Sequence, residues 1–217
     1  MVEILHFSDT HAERETLRRI ESLVTNLPDG YVVAHTGDAV SNFQSYASDK
    51  WNEWPQQYKL SVPGEHGETL EAYKNLTRWL CLPPWHCLID DLLFIGVDSS
   101  HGVLAVPDPS EIGDEVAPGA FAGLVVLTHR WVYHNTSGPS DLADSIMRIS
   151  HGTPVLVLHG HYHNEGSNGS FWDEDARLGP LSYYRSNVCS SSPLGRGTAH
   201  LITWMNGQFQ CFQVQGD

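Results

Sequence analysis

Basic residues are scarce in this chain. Against 26 Asp and Glu it carries 12 Lys and Arg, a formal net charge of -14 with histidine neutral, and a field of that sign repels nucleic acid and anionic membranes. Unspecific binding to either is disfavoured, although a local cationic site can override the long-range field. Cysteine is scarce too. Cys81, Cys87, Cys189 and Cys211 are the four present; they lack Cys-x-x-Cys spacing, and 217 residues can bury a core without disulfides. Buried or idle thiols are expected. No apolar run approaches the roughly 20 residues of a membrane span. Ahead of Val2-Glu3-Ile4-Leu5-His6-Phe7, itself strand-like, there is no basic region and no long apolar stretch. The expectation is a cytoplasmic protein with one domain over residues 1–217, since no linker-like stretch divides it.

Histidine, in contrast, is abundant at 13 residues, and its placement follows the pattern of apolar runs. Residues 2 to 7 read as a buried strand ending in Ser8-Asp9-Thr10-His11. Leu17, Ile20, Val24 and Leu27 then recur at helical spacing up to the stop Pro28-Asp29-Gly30. Tyr31-Val32-Val33-Ala34 is the next strand, followed by His35-Thr36-Gly37-Asp38, so a strand-helix-strand unit delivers Asp9, His11 and Asp38 to one sheet edge. Residues 41 to 58 show no clean periodicity and read as an irregular insertion. Lys59-Leu60-Ser61-Val62 leads into Pro63-Gly64-Glu65-His66-Gly67, and Leu70, Tyr73, Leu76 and Leu80 predict a helix. Strands are predicted over 85 to 89 and 92 to 97, the second ending in Asp98-Ser99-Ser100-His101. Residues 107 to 119 read as a solvated loop. Gly123-Leu124-Val125-Val126-Leu127 ends in Thr128-His129-Arg130, and Ser140 can cap a helix over 141 to 149. Pro154-Val155-Leu156-Val157-Leu158 runs into His159-Gly160-His161-Tyr162-His163. Strands over 181 to 190 and 199 to 205 follow, and Asn206-Gly207 signals a hairpin.

The same residue types recur where strands end: Asp9 and His11, Asp38, Glu65 and His66, His129, then His161 and His163. A packed core histidine accounts for any one of them, but not for all of them at strand-to-loop boundaries. A metal site accounts for the set. Mixed carboxylate and imidazole ligands suit Mn, Fe, Zn or Ni better than Mg or Ca. Seven ligands exceed the needs of one such ion. Two ions about 3.5 to 4 Å apart, bridged by a carboxylate, would use them all and form a clamp for in-line attack on phosphorus.

The ordered set Asp9-x-His11, Gly37-Asp38, Gly64-Glu65-His66, Thr128-His129 and Gly160-His161-Tyr162-His163 resembles the calcineurin-like metallophosphoesterases. The resemblance spans residues 4 to 163 and implies an α/β fold, a four-layer α/β/β/α sandwich of two mixed sheets with a metal site at the C-terminal ends of strands. It implies that Asp9, His11, Asp38 and His163 hold one ion, and that Asp38 bridges to a second held by His129, His161 and the residue at position 65. His66 would contact the substrate phosphate and protonate or stabilise the leaving oxygen while a metal-bridging hydroxide attacks. The family pattern usually has Gly-Asn-His followed by Asp or Glu, whereas this chain has Gly64-Glu65-His66-Gly67. Either Glu65 is a ligand in place of the amide, or the loop is out of register. As a ligand, Glu65 would bring the formal charge of two divalent ions, three carboxylates and a hydroxide to about zero, which favours singly charged diesters over monoesters. The Arg-Gly of the protein-phosphatase branch is missing after Gly37-Asp38.

The implied function is a dinuclear-metal phosphoester hydrolase, with a phosphodiesterase on small or nucleotide-like substrates as the leading reading. A phosphomonoesterase and a degenerate metal-binding module are the alternatives. Arg130 can steady a phosphate oxygen or lie on the surface. Asp98 can support the ligands from behind or simply form a turn. Trp131, Tyr133 and His134 can wall a pocket. His6, His35 and His159 lie inside strand-like runs and are expected to be packed.

Overall fold

The structure, a computed structural model, describes residues 1–11, 13–39, 51, 53–66, 83–99, 107–112, 117–130, 141–163, 170–174, 183–188, 190–191 and 196–217. The expected helix over 70 to 80, the Ser140 cap, Cys81, Cys189, Trp131, Tyr133 and His134 lie outside them.

Two mixed sheets pack face to face. The first contains β1 (Val2–Phe7), β2 (Val32–His35), β3 (Tyr58–Ser61), β10 (Thr198–Met205) and β11 (Gln208–Gln215), in the order β11-β10-β1-β2-β3. The second contains β4 (Trp85–Ile89), β5 (Leu92–Gly96), β6 (Gly123–Leu127), β7 (Val155–His159), β8 (Ser170–Glu174) and β9 (Tyr183–Val188), in the order β4-β5-β6-β7-β9-β8. β1, β2 and β3 are parallel, as are β5, β6, β7 and β9. The remaining pairs are antiparallel: β10 with β1 and β11, β4 with β5, and β8 with β9. β5, β6 and β7 are buried throughout, as continuous apolar runs in a covered parallel sheet require.

Three clusters of apolar side chains separate four layers. Ile4, Ala34 and Leu60 of the first sheet meet Phe94, Val125, Leu127, Leu156 and Leu158 of the second. Helix α1 (Arg14–Thr25) lays Ile20 and Val24 on Leu5, Phe7 and Val33. On the far side, α3 (Asp141–Ser150) packs Ile146 and Ile149 against Leu124, Val126, Val155 and Val157. The α/β/β/α order follows from these three interfaces.

Two elements depart from the expectation. Residues 107 to 119 contain a short helix, α2 (Pro109–Ile112). Asp108 accepts the Ser110 N–H at 2.8 Å, Pro109 opens the first turn, and Ile112 is buried beside Phe121. The charged surroundings masked that one apolar anchor. β8 was not anticipated because Ser170-Phe171-Trp172-Asp173-Glu174 lacks strict alternation; it is an edge strand paired only with β9. Within the insertion, Trp51 and Trp54 are buried against Phe7, and Lys59 Nζ donates to their carbonyls at 3.0 and 2.7 Å. Asn206 and Gly207 both take positive φ, 54° and 77°, as the predicted hairpin turn demands.

A buried polar chain crosses between the sheets. His6 Nδ1 lies 2.8 Å from Ser186 Oγ, which lies 2.7 Å from His200 Nδ1, and His6 Nε2 lies 3.0 Å from Thr36 Oγ1. Burial holds His6 well below the usual imidazole range and lowers His200 and His35 to about 4. Unfolded rings take protons below about pH 6.5, whereas these folded ones stay neutral until the pH is much lower. The unfolded state therefore binds more protons in that window, and stability falls as pH drops from 6.5 towards 4. In chelator-treated protein the urea midpoint should decline over this range, with a shallower slope for His200→Gln; equal slopes would rule His200 out as a contributor.

Candidate metal centre

Parallel strands send their C-terminal ends to one edge, and the loops leaving both sheets meet there. In the first sheet Asp9 N–H donates to Gly37 O at 3.0 Å and His11 N–H to Asp38 O at 2.9 Å, which locks the loops after β1 and β2 together. Across the sandwich, His129 Nδ1 donates to Thr36 O at 2.8 Å, and His161 N–H donates to Asp9 Oδ2 at 3.0 Å. Asp9, His11, Asp38 and His161 all have left-handed backbone, with φ of 54°, 49°, 54° and 70°. Four non-glycine residues in a sparsely allowed region, all at one edge, are backbone strain gathered at a site.

Each buried aspartate uses one oxygen on the protein and leaves the other without a hydrogen bond. Asp38 Oδ1 accepts the N–H groups of Glu65 and His66 at 2.8 and 2.9 Å, while Asp38 Oδ2 has no hydrogen bond. Asp9 Oδ2 accepts from His161, while Asp9 Oδ1 has none. His129 repeats the pattern: its Nδ1 is committed to Thr36 and its Nε2 is buried without a hydrogen bond. Leaving several buried polar atoms unsatisfied costs about 1–3 kcal/mol each, and a cation held among these atoms would satisfy them together.

The spacing fits one. Asp38 Oδ2 lies 3.3 Å from His129 Nε2, and Asp9 Oδ1 lies 3.2 Å from His163 Nε2. Ligand atoms about 2.0–2.1 Å from a shared ion, at octahedral to tetrahedral angles, are separated by roughly 2.8–3.4 Å. Among the described residues, three groups have ligand atoms within 4.8 Å of one another: Asp9, His11 and His163; Glu65, His129 and His161; and Asp9, Asp38 and His129. The third group overlaps the other two, joining Asp38 to Asp9 of the first and His129 of the second. The donor set of carboxylate and imidazole suits divalent transition ions.

Charge in the cluster follows from the same contacts. Burial opposes a proton on His129, but Asp38 and Asp9 outweigh it and raise the ring to about 9. Burial likewise opposes ionised Asp38, and His129 together with the His66 N–H holds it well below the usual carboxylate range. Asp9 is lowered too, against its burial, by His163 and His129. Burial, His129 and Arg130 lower His161 to about 4, so that ring is neutral and able to ligate near neutral pH.

The calcineurin-like phosphoesterase profile matches residues 2–188. The chain belongs to that family. TT1561 of Thermus thermophilus is similar in structure at 15% identity and a TM-score of 0.62, with 97% of this chain and 98% of that one covered. The 5'-nucleotidase from Candida albicans aligns at 11% identity and a TM-score of 0.55, over 98% of this chain and 50% of that one. At such identities these likenesses speak to the fold, and the calcineurin-like sandwich of two mixed sheets is the fold seen here. No curated protein matches the chain in sequence.

All of the family-motif residues picked out in the sequence converge on this edge, in different roles. His66 stands outside the three ligand groups, 57% exposed, with Nε2 3.8 Å from both Asp38 Oδ2 and Glu65 Oε1. Glu65 Oε1 lies 3.3 Å from His161 Nδ1, within the second group. Arg130 forms an ion pair with Glu65 through Nη2, a contact that the sequence did not suggest. His6, His35 and His159 are buried in the strands as expected. Two supporting residues were missed. Ser99 Oγ bonds Thr128 Oγ1 at 3.0 Å and accepts the Arg130 N–H at 2.9 Å, fixing the loop that presents His129; its strand-end position beside Asp98 was the available signal. Thr36 acts through its backbone carbonyl, for which a sequence has no signal.

Proposed function

We propose that this protein is a dinuclear-metal-dependent phosphoester hydrolase, and specifically a phosphodiesterase acting on small or nucleotide-like substrates. What supports the reading is the pair of ligand groups linked by the set Asp9, Asp38 and His129, in which Asp9 Oδ1, Asp38 Oδ2 and His129 Nε2 are buried without a hydrogen bond. Asp9, His11, Asp38 and His163 would hold one ion, and Asp38, Glu65, His129 and His161 the other; Mn, Fe, Zn and Ni are the compatible metals. A pair of such ions supplies Lewis acidity and a nucleophile ionised at neutral pH. Among the protein's own groups, Thr36 O fixes the His129 tautomer so that Nε2 faces inward. His66 is close to the cluster and open to solvent, where it can meet the phosphate and give a proton to the leaving oxygen. A diester is favoured because Arg130 is turned onto Glu65 and so is not presented to the second charge of a monoester. The net charge of -14 weighs against a polymeric nucleic acid substrate.

Hydrolysis of an aryl phosphodiester with added Mn, compared with the matched monoester, tests the reading. Bound metal without turnover of either substrate would make the protein a binding module instead. His66→Ala should keep both metals and lose roughly 10²- to 10⁴-fold in rate. Metal loss in that variant would place His66 among the ligands.

A further inference from the structure

The departure from the family pattern at position 65 has a partner on another strand end. Glu65 follows β3 in the first sheet, and Arg130 follows β6 in the second. Glu65 faces three side chains: Oε1 lies 3.3 Å from His161 Nδ1 and 3.8 Å from His66 Nε2, and Oε2 meets Arg130 Nη2. Arg130 is held in place rather than left to wander over the surface. Its backbone is fixed, the N–H bonded to Ser99 Oγ at 2.9 Å and the carbonyl accepting from Thr128 Oγ1 at 3.1 Å, and its buried Nε makes no hydrogen bond, which leaves Nη2 on Glu65 as the side chain's ion pair. An exposed Lys or Arg pair with a carboxylate contributes little. Here one backbone is fixed on each side and Glu65 is mostly covered, 21% exposed against 39% for Arg130.

We propose that Glu65 and Arg130 work as one unit, a carboxylate and guanidinium pair that stands where the family pattern has a neutral amide. The inference rests on the dinuclear reading above. Formal counting shows why the two residues belong together. A lone third carboxylate brings the centre to about zero, whereas a guanidinium paired with it restores about +1, the value expected with a neutral ligand. The pair therefore offers an oxygen to the second ion without surrendering the site's attraction for anions. It also keeps Arg130 on Glu65 and off the substrate, so position 65 bears on specificity as well as on metal binding.

Uptake of Mn²⁺ by chelator-stripped protein tests this without reference to turnover. Wild type should take two equivalents. Arg130→Gln, a change at a partly exposed side chain that should fold, removes a cation pinned beside the second ion and should tighten the second equivalent by about tenfold. Glu65→Asn should weaken it and release Arg130 to solvent. Adding Arg130→Gln to Glu65→Asn should then change little, because a released guanidinium no longer opposes the ion. That non-additivity is the signature of the pair. Equal effects of Arg130→Gln in both backgrounds, or none in either, would overturn the pairing while leaving the dinuclear reading intact. Uptake of fewer than two equivalents by wild type would overturn both. In the hydrolysis assay, Glu65→Asn should raise the monoester-to-diester ratio and the double variant should lose that rise; a rise that survives in the double variant would show that freed Arg130 is not its source.

Discussion

Asp38→Asn is expected to strip both metals and to lower hydrolysis by at least roughly 10³-fold, the equivalent of several kcal/mol of charge stabilisation at the reacting phosphorus. Charge is only part of the reason. Asp38 Oδ1 is committed to two backbone donors, the Glu65 and His66 N–H groups at 2.8 and 2.9 Å. An asparagine must keep its amide oxygen there, since turning its NH₂ to that side would set donors against donors. The NH₂ group is then forced into the place of Oδ2, facing His129 Nε2 at 3.3 Å. A ligand atom becomes a donor, and the near-isosteric variant is chemically inverted at the position proposed to bridge the two ions. Metal content per chain by elemental analysis checks the result, with circular dichroism to show that the fold survives. Two full equivalents of metal in Asp38→Asn would remove Asp38 from the bridging position.

Much of this centre was legible because parallel strands impose order on it. β1 and β2 pair in parallel from Ile4↔Val32 to Phe7↔His35, so the polar residues just after each strand must arrive together. Apolar runs ending in Asp or His were enough to foresee that edge without knowing a single contact. The strands β5, β6 and β7 were equally clear, since burial on both faces leaves unbroken apolar runs. Elements that depend on one anchor were not. Helix α2 hangs on Ile112 and an Asp108 cap, and β8 is defined by its neighbour β9 rather than by its own pattern. The Glu65–Arg130 pair was out of reach for a related reason. Its members follow strands of different sheets, and no local periodicity links residue 65 to residue 130. The formal charge of the site, counted from the ligand loops alone, therefore omitted a cation.

Gly64→Ala should be the most damaging of the small substitutions near the centre. The backbone of Gly64 does not need a left-handed φ, so alanine could adopt its conformation freely. Space forbids it instead. A Cβ at Gly64 would land on Asp38 Oδ1 and on the Asp38 backbone nitrogen, and would come within 2.7 Å of Asp38 Cγ. The obstacle includes main chain that His11 N–H holds in place through Asp38 O at 2.9 Å, so the strain cannot be relieved by a rotamer change. Either the loop after β3 retreats, breaking the two N–H bonds to Oδ1, or the carboxylate turns away from His129. Both outcomes misplace groups on the two sides of Asp38 together. A shift of about 1 Å at such a site can cost 10²-fold in rate, and overpacking adds about 1–3 kcal/mol of destabilisation. Gly30→Ala is the control, since its Cβ would meet nothing within 4 Å and its φ is not left-handed; it should be neutral or stabilising by about 0.4–1 kcal/mol. Metal uptake, rate and urea midpoint measured on both variants separate the two cases. Wild-type metal content and rate in Gly64→Ala would mean that the Asp38 carboxylate has room the structure does not give it.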